Sequence, residues 1–185
     1  MLRFSFEKVK NVLLLGAHCD DIEIGCGGTI LRLLEQNPAS EVCWVVMGAS
    51  GRRRAEAVES ASRFLANAKR KEIIVKEFRD GYFPYMGAEI KDFFEELKRN
   101  SAPDLILTHY REDLHQDHRL VSELTWNTYR NHLILEYEIV KYDGDMGSPN
   151  FFVHLTESMV RKKIKVIMDS FESQRQKNWF TEDMF

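Results

Sequence analysis

The sequence predicts an α/β fold, a mostly parallel sheet covered by helices on both faces. Two observations carry this. Short apolar runs rich in Val, Ile and Leu alternate along the chain with amphipathic segments of helix length, the pattern of repeated βαβ units. Polar clusters follow two of the apolar runs, at their carboxyl ends, where sheets of this kind bind ligands.

The elements follow in order. Asn11–Gly16 reads as a buried strand because Val12-Leu13-Leu14-Leu15 is uninterrupted. Thr29–Gln36 reads as a helix that stops before Asn37-Pro38. Val42–Met47 is the next strand. Arg54–Asn67 is a helix with Ala57, Val58, Ala61 and Leu65 at helical spacing. Glu72–Phe78 is a third strand. Ala88–Arg99 is a helix bearing Ile90, Phe93, Phe94 and Leu97. Leu105–Thr108 is a fourth strand, and His118–Arg130 a helix with Leu120, Val121, Leu124 and Tyr129 as its apolar side. Leu133–Val140 and Phe151–Leu155 are expected as later strands. Thr156–Phe171 is a helix with Thr156 as its N-cap.

At 185 residues the chain is expected to be one domain, residues 1–185. Apolar content of 44% and charged content of 30% are ordinary for a globular protein. A net charge of −3 gives no general affinity for polyanions, so no nucleic-acid partner is expected. The three cysteines, Cys19, Cys26 and Cys43, are odd in number and lack C-x-x-C spacing. They argue against a disulfide framework or zinc finger and point to the cytoplasm. No apolar run reaches the ~18 residues of a membrane span.

The chemistry sits in two clusters. Gly16-Ala17-His18-Cys19-Asp20-Asp21 follows the first strand. Thr108-His109 and His115-Gln116-Asp117-His118 follow the fourth. A catalytic metal site needs three protein ligands and an open position. His18 and Asp21, three apart, are close enough to grip one ion, and His118 would supply a third ligand. Asp20, if not a ligand, can take a proton from the attacking water. His115, three before His118, would face the same way in a helical turn and, protonated, could stabilise a developing oxyanion. Asp117 or Asp113 could fix the tautomer of a nearby imidazole. Two His and one carboxylate also suit non-haem iron, so the spacing alone leaves the metal open. Gly25-Cys26-Gly27-Gly28-Thr29 lacks the dinucleotide-binding pattern. It reads better as small residues that let a helix pack closely.

With His18-Cys19-Asp20-Asp21, Gly27-Gly28-Thr29 and His115-Gln116-Asp117-His118, the chain resembles the LmbE-like or PIG-L family over most of its length. These are zinc-dependent deacetylases of N-acetylglucosaminyl compounds on a Rossmann-like fold. The resemblance implies one Zn²⁺ per chain, with Fe²⁺ as an alternative, held by His18, Asp21 and His118. It makes Asp20 the general base, His115 the residue that polarises the carbonyl, and Asp117 the orienter of His115. Arg53, of Arg53-x-x-Glu56, is implied as a substrate contact, and Asp80 as a ligand for a sugar hydroxyl. The implied reaction releases acetate and a free amine from an N-acetyl sugar, with a non-catalytic metal-site sugar-binding protein and a non-haem iron enzyme as the other readings. Cys19 stands where the family usually has Pro, and Ile22 where Glu often follows. Tyr137-Glu138, Lys141, Asp143-Gly144-Asp145 and Phe171-Glu172-Ser173-Gln174 resemble members from bacterial surface-polysaccharide or sugar-nucleotide pathways.

Two further features raise expectations. Arg52-Arg53-Arg54 opens a predicted helix, where cations oppose the dipole, and could hold an anionic sugar conjugate at the site mouth. Trp179, Phe180, Met184 and Phe185 crowd the last seven residues. They are expected to pack on their own domain or on a neighbouring subunit of a homo-oligomer. Family members usually run on further, so the chain is also expected to lack the last part of the family domain.

Overall fold

The structure, a computed structural model, describes residues 5–185. Five strands form one parallel sheet: β1 (Asn11–His18), β2 (Glu41–Gly48), β3 (Arg70–Val75), β4 (Leu105–His109) and β5 (Leu133–Tyr137), in the order β3-β2-β1-β4-β5. The chain builds outward from β1 to β3, then crosses back to lay β4 on the other side of β1. The switch point between β1 and β4 is where a parallel sheet opens a crevice.

Five helices cover it: α1 (Asp21–Gln36), α2 (Gly51–Phe64), α3 (Gly87–Asn100), α4 (Gln116–Thr128) and α5 (Glu157–Ser170). The strands are apolar throughout because both faces are covered. Val12, Leu14, Trp44, Val46, Leu105 and Leu107 point to one side, where α1, α2 and α5 pack. Leu13, Leu15, Val45, Met47 and Ile106 point to the other, against Ile90, Phe94 and Val121 of α3 and α4. Among the described residues no helix is long and apolar enough to cross a membrane.

The expected elements are present with shifted ends, and two expectations fail. The first helix begins at Asp21, not Thr29. Gly25, Gly27 and Gly28 lie inside it, although glycine costs a helix interior about 1 kcal/mol each. Close packing compensates. A Cβ on Gly27 would fall 2.8 Å from the Phe64 ring, and one on Gly28 would fall 2.4 Å from Leu155. Phe151–Leu155 forms no strand among the described residues. Its apolar alternation is satisfied by packing Val153 and Leu155 on the α1 side of the core instead of by a ladder. Thr156 caps α5 as expected, its hydroxyl accepting from the Met159 amide at 3.4 Å.

The aromatic tail folds onto its own domain. Phe180 is buried, Trp179 and Phe185 pack against the same core face, and the Phe180 and Phe185 rings meet at 5.1 Å. Met184 stays exposed.

The tightest of the glycine contacts links the core to the site. A Cβ on Gly25 would lie 2.2 Å from Cδ2 of Tyr137 and 3.0 Å from the Glu138 carbonyl. Tyr137 cannot swing aside, because its buried hydroxyl donates to the Leu15 carbonyl at 2.7 Å. Gly25→Ala should therefore destabilise the protein by about 1–3 kcal/mol. Thermal denaturation would read this as a lower Tm, and an unchanged Tm would contradict the packing argument.

Candidate active site

The carboxyl ends of β1 and β4 deliver the two polar clusters to one place. His18 ends β1, Asp20 is the N-cap of α1 and Asp21 is its first residue. His109 ends β4, His115 is the N-cap of α4, and Asp117 and His118 lie in its first turn. One oxygen, Asp21 Oδ2, gathers the nitrogens. It accepts from the His18 amide at 2.7 Å, and lies 3.3 Å from each of His18 Nδ1, His118 Nε2 and His109 Nε2. His18 Nδ1 and His118 Nε2 are 3.1 Å apart.

The outer nitrogens decide what the inner ones can do. His118 Nδ1 faces Asp113 Oδ2 at 2.9 Å. His18 Nε2 faces Asp117 Oδ2 and Asp80 Oδ1, each at 3.2 Å. Carboxylates accept hydrogen bonds, so they place the ring protons on these outer atoms. The inner nitrogens then present lone pairs to each other and to Asp21 Oδ2. Three lone pairs with edges of 3.1–3.3 Å repel unless a proton or a metal ion joins them. A tetrahedral ion with bonds of about 2.0–2.1 Å would hold its ligands ~3.3 Å apart. The donor set therefore fits a zinc-like ion.

Other groupings are less apt. Ligand atoms of Asp21, His109 and His118 also cluster, as do those of His18, His115 and His118. But His109 Nε2 already accepts the Ala17 amide at 2.9 Å, so its lone pair is spent. His115 Nδ1 accepts the Asp117 amide at 3.3 Å.

The electrostatics match a site made for positive charge. Burial raises the carboxyl of Asp21, but His118, His18 and His109 outweigh this and hold it well below the carboxylate range. Burial lowers His118, and Asp21 and Asp113 more than reverse that, lifting it to about 9. His109, wholly buried, is lowered to about 4, by burial first and then by His118. His115 is also lowered, by burial and by its His118 and His18 neighbours. Asp20 behaves oppositely to Asp21: burial and the Asp21 charge raise it. Its side chain makes no capping bond to α1, and its buried Oδ2 has no partner among the described residues.

A cavity of about 240 Å³ is bounded by His18, Asp20, Asp21, His115 and His118 on one side and by Tyr142, Lys177 and Trp179 on another. Arg53 and Asp80 meet on its wall, Nη1 to Oδ2 at 3.2 Å. Of the three consecutive arginines only Arg53 faces this cavity. Arg52 pairs with Glu172 and Glu56, and Arg54 donates to the Val75 carbonyl. A larger groove of about 510 Å³ runs along β5 but lacks such a cluster.

The orienting role expected of Asp117 needs correction. Its carboxylate makes no hydrogen bond to the His115 ring. It accepts from the amides of Gly81 (2.6 Å) and Phe83 (3.1 Å) and faces His18. The start of α4 turns the Asp117 side chain toward the loop after β3, and only its amide reaches His115. The sequence reading also gave His109 no role and Asp113 only a shared one. The strand-end position of His109 and the two-residue step from Asp113 to His115 were the available signals.

The family model described as PIG-L: GlcNAc-PI de-N-acetylase matches residues 13–129. The chain belongs to this family of deacetylases. It is 29% identical over 126 residues to the uncharacterized deacetylase YaiS of Escherichia coli strain K12, a match over 63% of this chain and 66% of that protein. The chain thus spans slightly under two thirds of that relative's length. An N,N'-diacetylchitobiose deacetylase from Pyrococcus horikoshii superposes with a TM-score of 0.69 at 25% identity, over 97% of this chain and 77% of the other. The A40926 pseudoaglycone deacetylase shares the fold at a TM-score of 0.75 and 14% identity, over 96% and 89% of the two chains.

Asp117 holds the 79–83 loop through bonds to a charged acceptor, each worth about 1.5–3 kcal/mol. Asp117→Ala should speed hydrogen exchange at Gly81 and Phe83 by roughly tenfold or more and leave the β2 amides unchanged. Unaltered exchange at both would show that the loop is held by other contacts.

Proposed function

We propose that this protein is a metal-dependent deacetylase that hydrolyses the acetamido group of an N-acetylated sugar, giving acetate and a free amine. The observation that carries this reading is the facing of three lone pairs, from His18, Asp21 and His118, in a deacetylase-family chain. The ion, zinc in our reading and one per chain, supplies a Lewis acid for the acetyl carbonyl and acidifies the attacking water.

The chain's own residues do the rest. Asp20, buried, raised and without a partner at Oδ2, accepts the water proton, which then passes to the leaving amine nitrogen. With Nδ1 of His115 engaged by the Asp117 amide, the neutral ring carries its proton on Nε2, whose N–H donates a hydrogen bond to the carbonyl oxygen. The sequence reading gave this role to a protonated ring, whereas the lowered pKa of His115 favours a neutral donor. Asp117 and Asp80 orient His18, and Asp113 orients His118. Arg53 and the half-exposed Asp80 are placed to meet sugar oxygens. Three free cysteines suit a reducing cytoplasm.

Metal analysis of the purified protein, with an assay for acetate release from N-acetylglucosamine derivatives, tests this. About one zinc per chain and acetate release are expected. His18→Ala, Asp21→Ala and His118→Ala should each lose metal and activity, and full metal content in all three would refute the ligand assignment. Asp20→Asn should keep the metal and lose kcat by roughly 10²–10⁴-fold. Near-normal turnover would make Asp20 a structural residue.

A further inference from the structure

Behind His118 and His115 stands a second layer of charge, of which the reaction outlined above uses only Asp113. Asp113 uses both carboxylate oxygens inward. Oδ2 faces His118 Nδ1 at 2.9 Å, and Oδ1 accepts the His115 amide at 2.7 Å. Oδ1 also lies 3.1 Å from Nζ of Lys141. The Lys141 side chain is only 10% exposed, and its ammonium is shared with Asp145. Asp145 Oδ2 in turn accepts the amide of Leu114 at 2.7 Å. A single buried ammonium thus joins two carboxylates that hold three consecutive residues, Asp113, Leu114 and His115.

Lys141 and Asp145 lie beyond residues 13–129, in the irregular stretch after β5. That stretch also lends Ile139, Tyr142 and Asp143 to the cavity wall. A lone carboxylate with this much burial would be free to rotate or to be neutralised. A fixed cation on its far side keeps it charged and aimed at His118.

We propose that Lys141 is a positioning residue of the metal site, acting on His118 through Asp113. The inference rests on the metal-site reading above. It makes the 138–147 stretch part of the site's construction as well as its wall.

The test is a double-mutant cycle read as zinc affinity of the metal-stripped protein, by competition with a chelator. Wild-type, Lys141→Met, Asp113→Asn and the double variant are compared. Asp113→Asn should weaken zinc by about 10–100-fold, and Lys141→Met by about tenfold. In the Asp113→Asn background, Lys141→Met should have little further effect, because its route to His118 is already cut. Losses that multiply would overturn the proposal, as would an unchanged affinity in Lys141→Met. Breaking a buried ion pair can unfold a protein, so Lys141→Gln with Asp145→Asn, which removes the pair without leaving Asp145 charged, serves as a second variant. It should also weaken zinc by about tenfold while retaining the native circular dichroism, and wild-type affinity would overturn the proposal. Zinc binding by the wild type is read independently of acetate release. A chain that binds zinc but ignores Lys141 sinks this inference alone, whereas a wild type that binds none sinks both.

Discussion

Everything at the site is arranged around one oxygen, Asp21 Oδ2. Three imidazoles and a backbone amide crowd it within 3.3 Å. Burial works against the charge of this carboxylate, and those imidazoles and its place at the start of α1 hold it ionised. Its location follows from the sheet. β1 ends at His18, the chain turns within two residues, and α1 starts. β4 lies beside β1, so the strand after the crossover brings His109 and the α4 histidines to the same oxygen. Moving either strand end by one residue would invert the side chains and disperse the cluster.

Much of this was legible in the sequence, for definable reasons. His18, Asp21 and His118 could be picked because strand ends of a parallel sheet share an edge, and the apolar runs located those ends. Asp80 came only with the family resemblance, Arg53 also from its place in the run of three arginines, and the structure does bring them together. The start of α1 was not legible, because three glycines in four residues look like a loop until one sees Phe64 and Leu155 pressed against them. Phe151–Leu155 shows the opposite failure. Local alternation describes a face, and a strand also needs a free edge at the right height. The family resemblance paired Asp117 with His115, but the start of α4 turns the Asp117 carboxylate toward Gly81 and Phe83. The Lys141 link spans residues 113 and 141 in irregular chain, where no periodicity announces a contact.

The cavity has two origins. The reacting groups, with Arg53 and Asp80, lie in the stretch the family model matches. The opposite wall, from Ile139 to Asp143 and from Gln174 to Trp179, lies outside it. In the proposed reading, the wall outside the matched stretch adds to substrate selection without supplying a reacting group. The exposed Lys177 sits over the Trp179 ring at 5.0 Å, giving that wall an aromatic surface with a cation on it.

The glycines of α1 bear on how such a protein can change over generations. The helix lies flush against Phe64, Leu155 and Tyr137 because nothing projects from it there, and its first residue is Asp21. An added methyl group on that flank would shift the whole rod, and with it the oxygen at its tip. Drift in the interior is thus tethered to the reaction centre. Side chains such as Tyr142 and Lys177 line the mouth without bracing the helix, and can be exchanged with far less penalty. New substrates would be reached by editing the mouth, while the depth of the pocket stays fixed by the absence of side chains on the packed flank of α1.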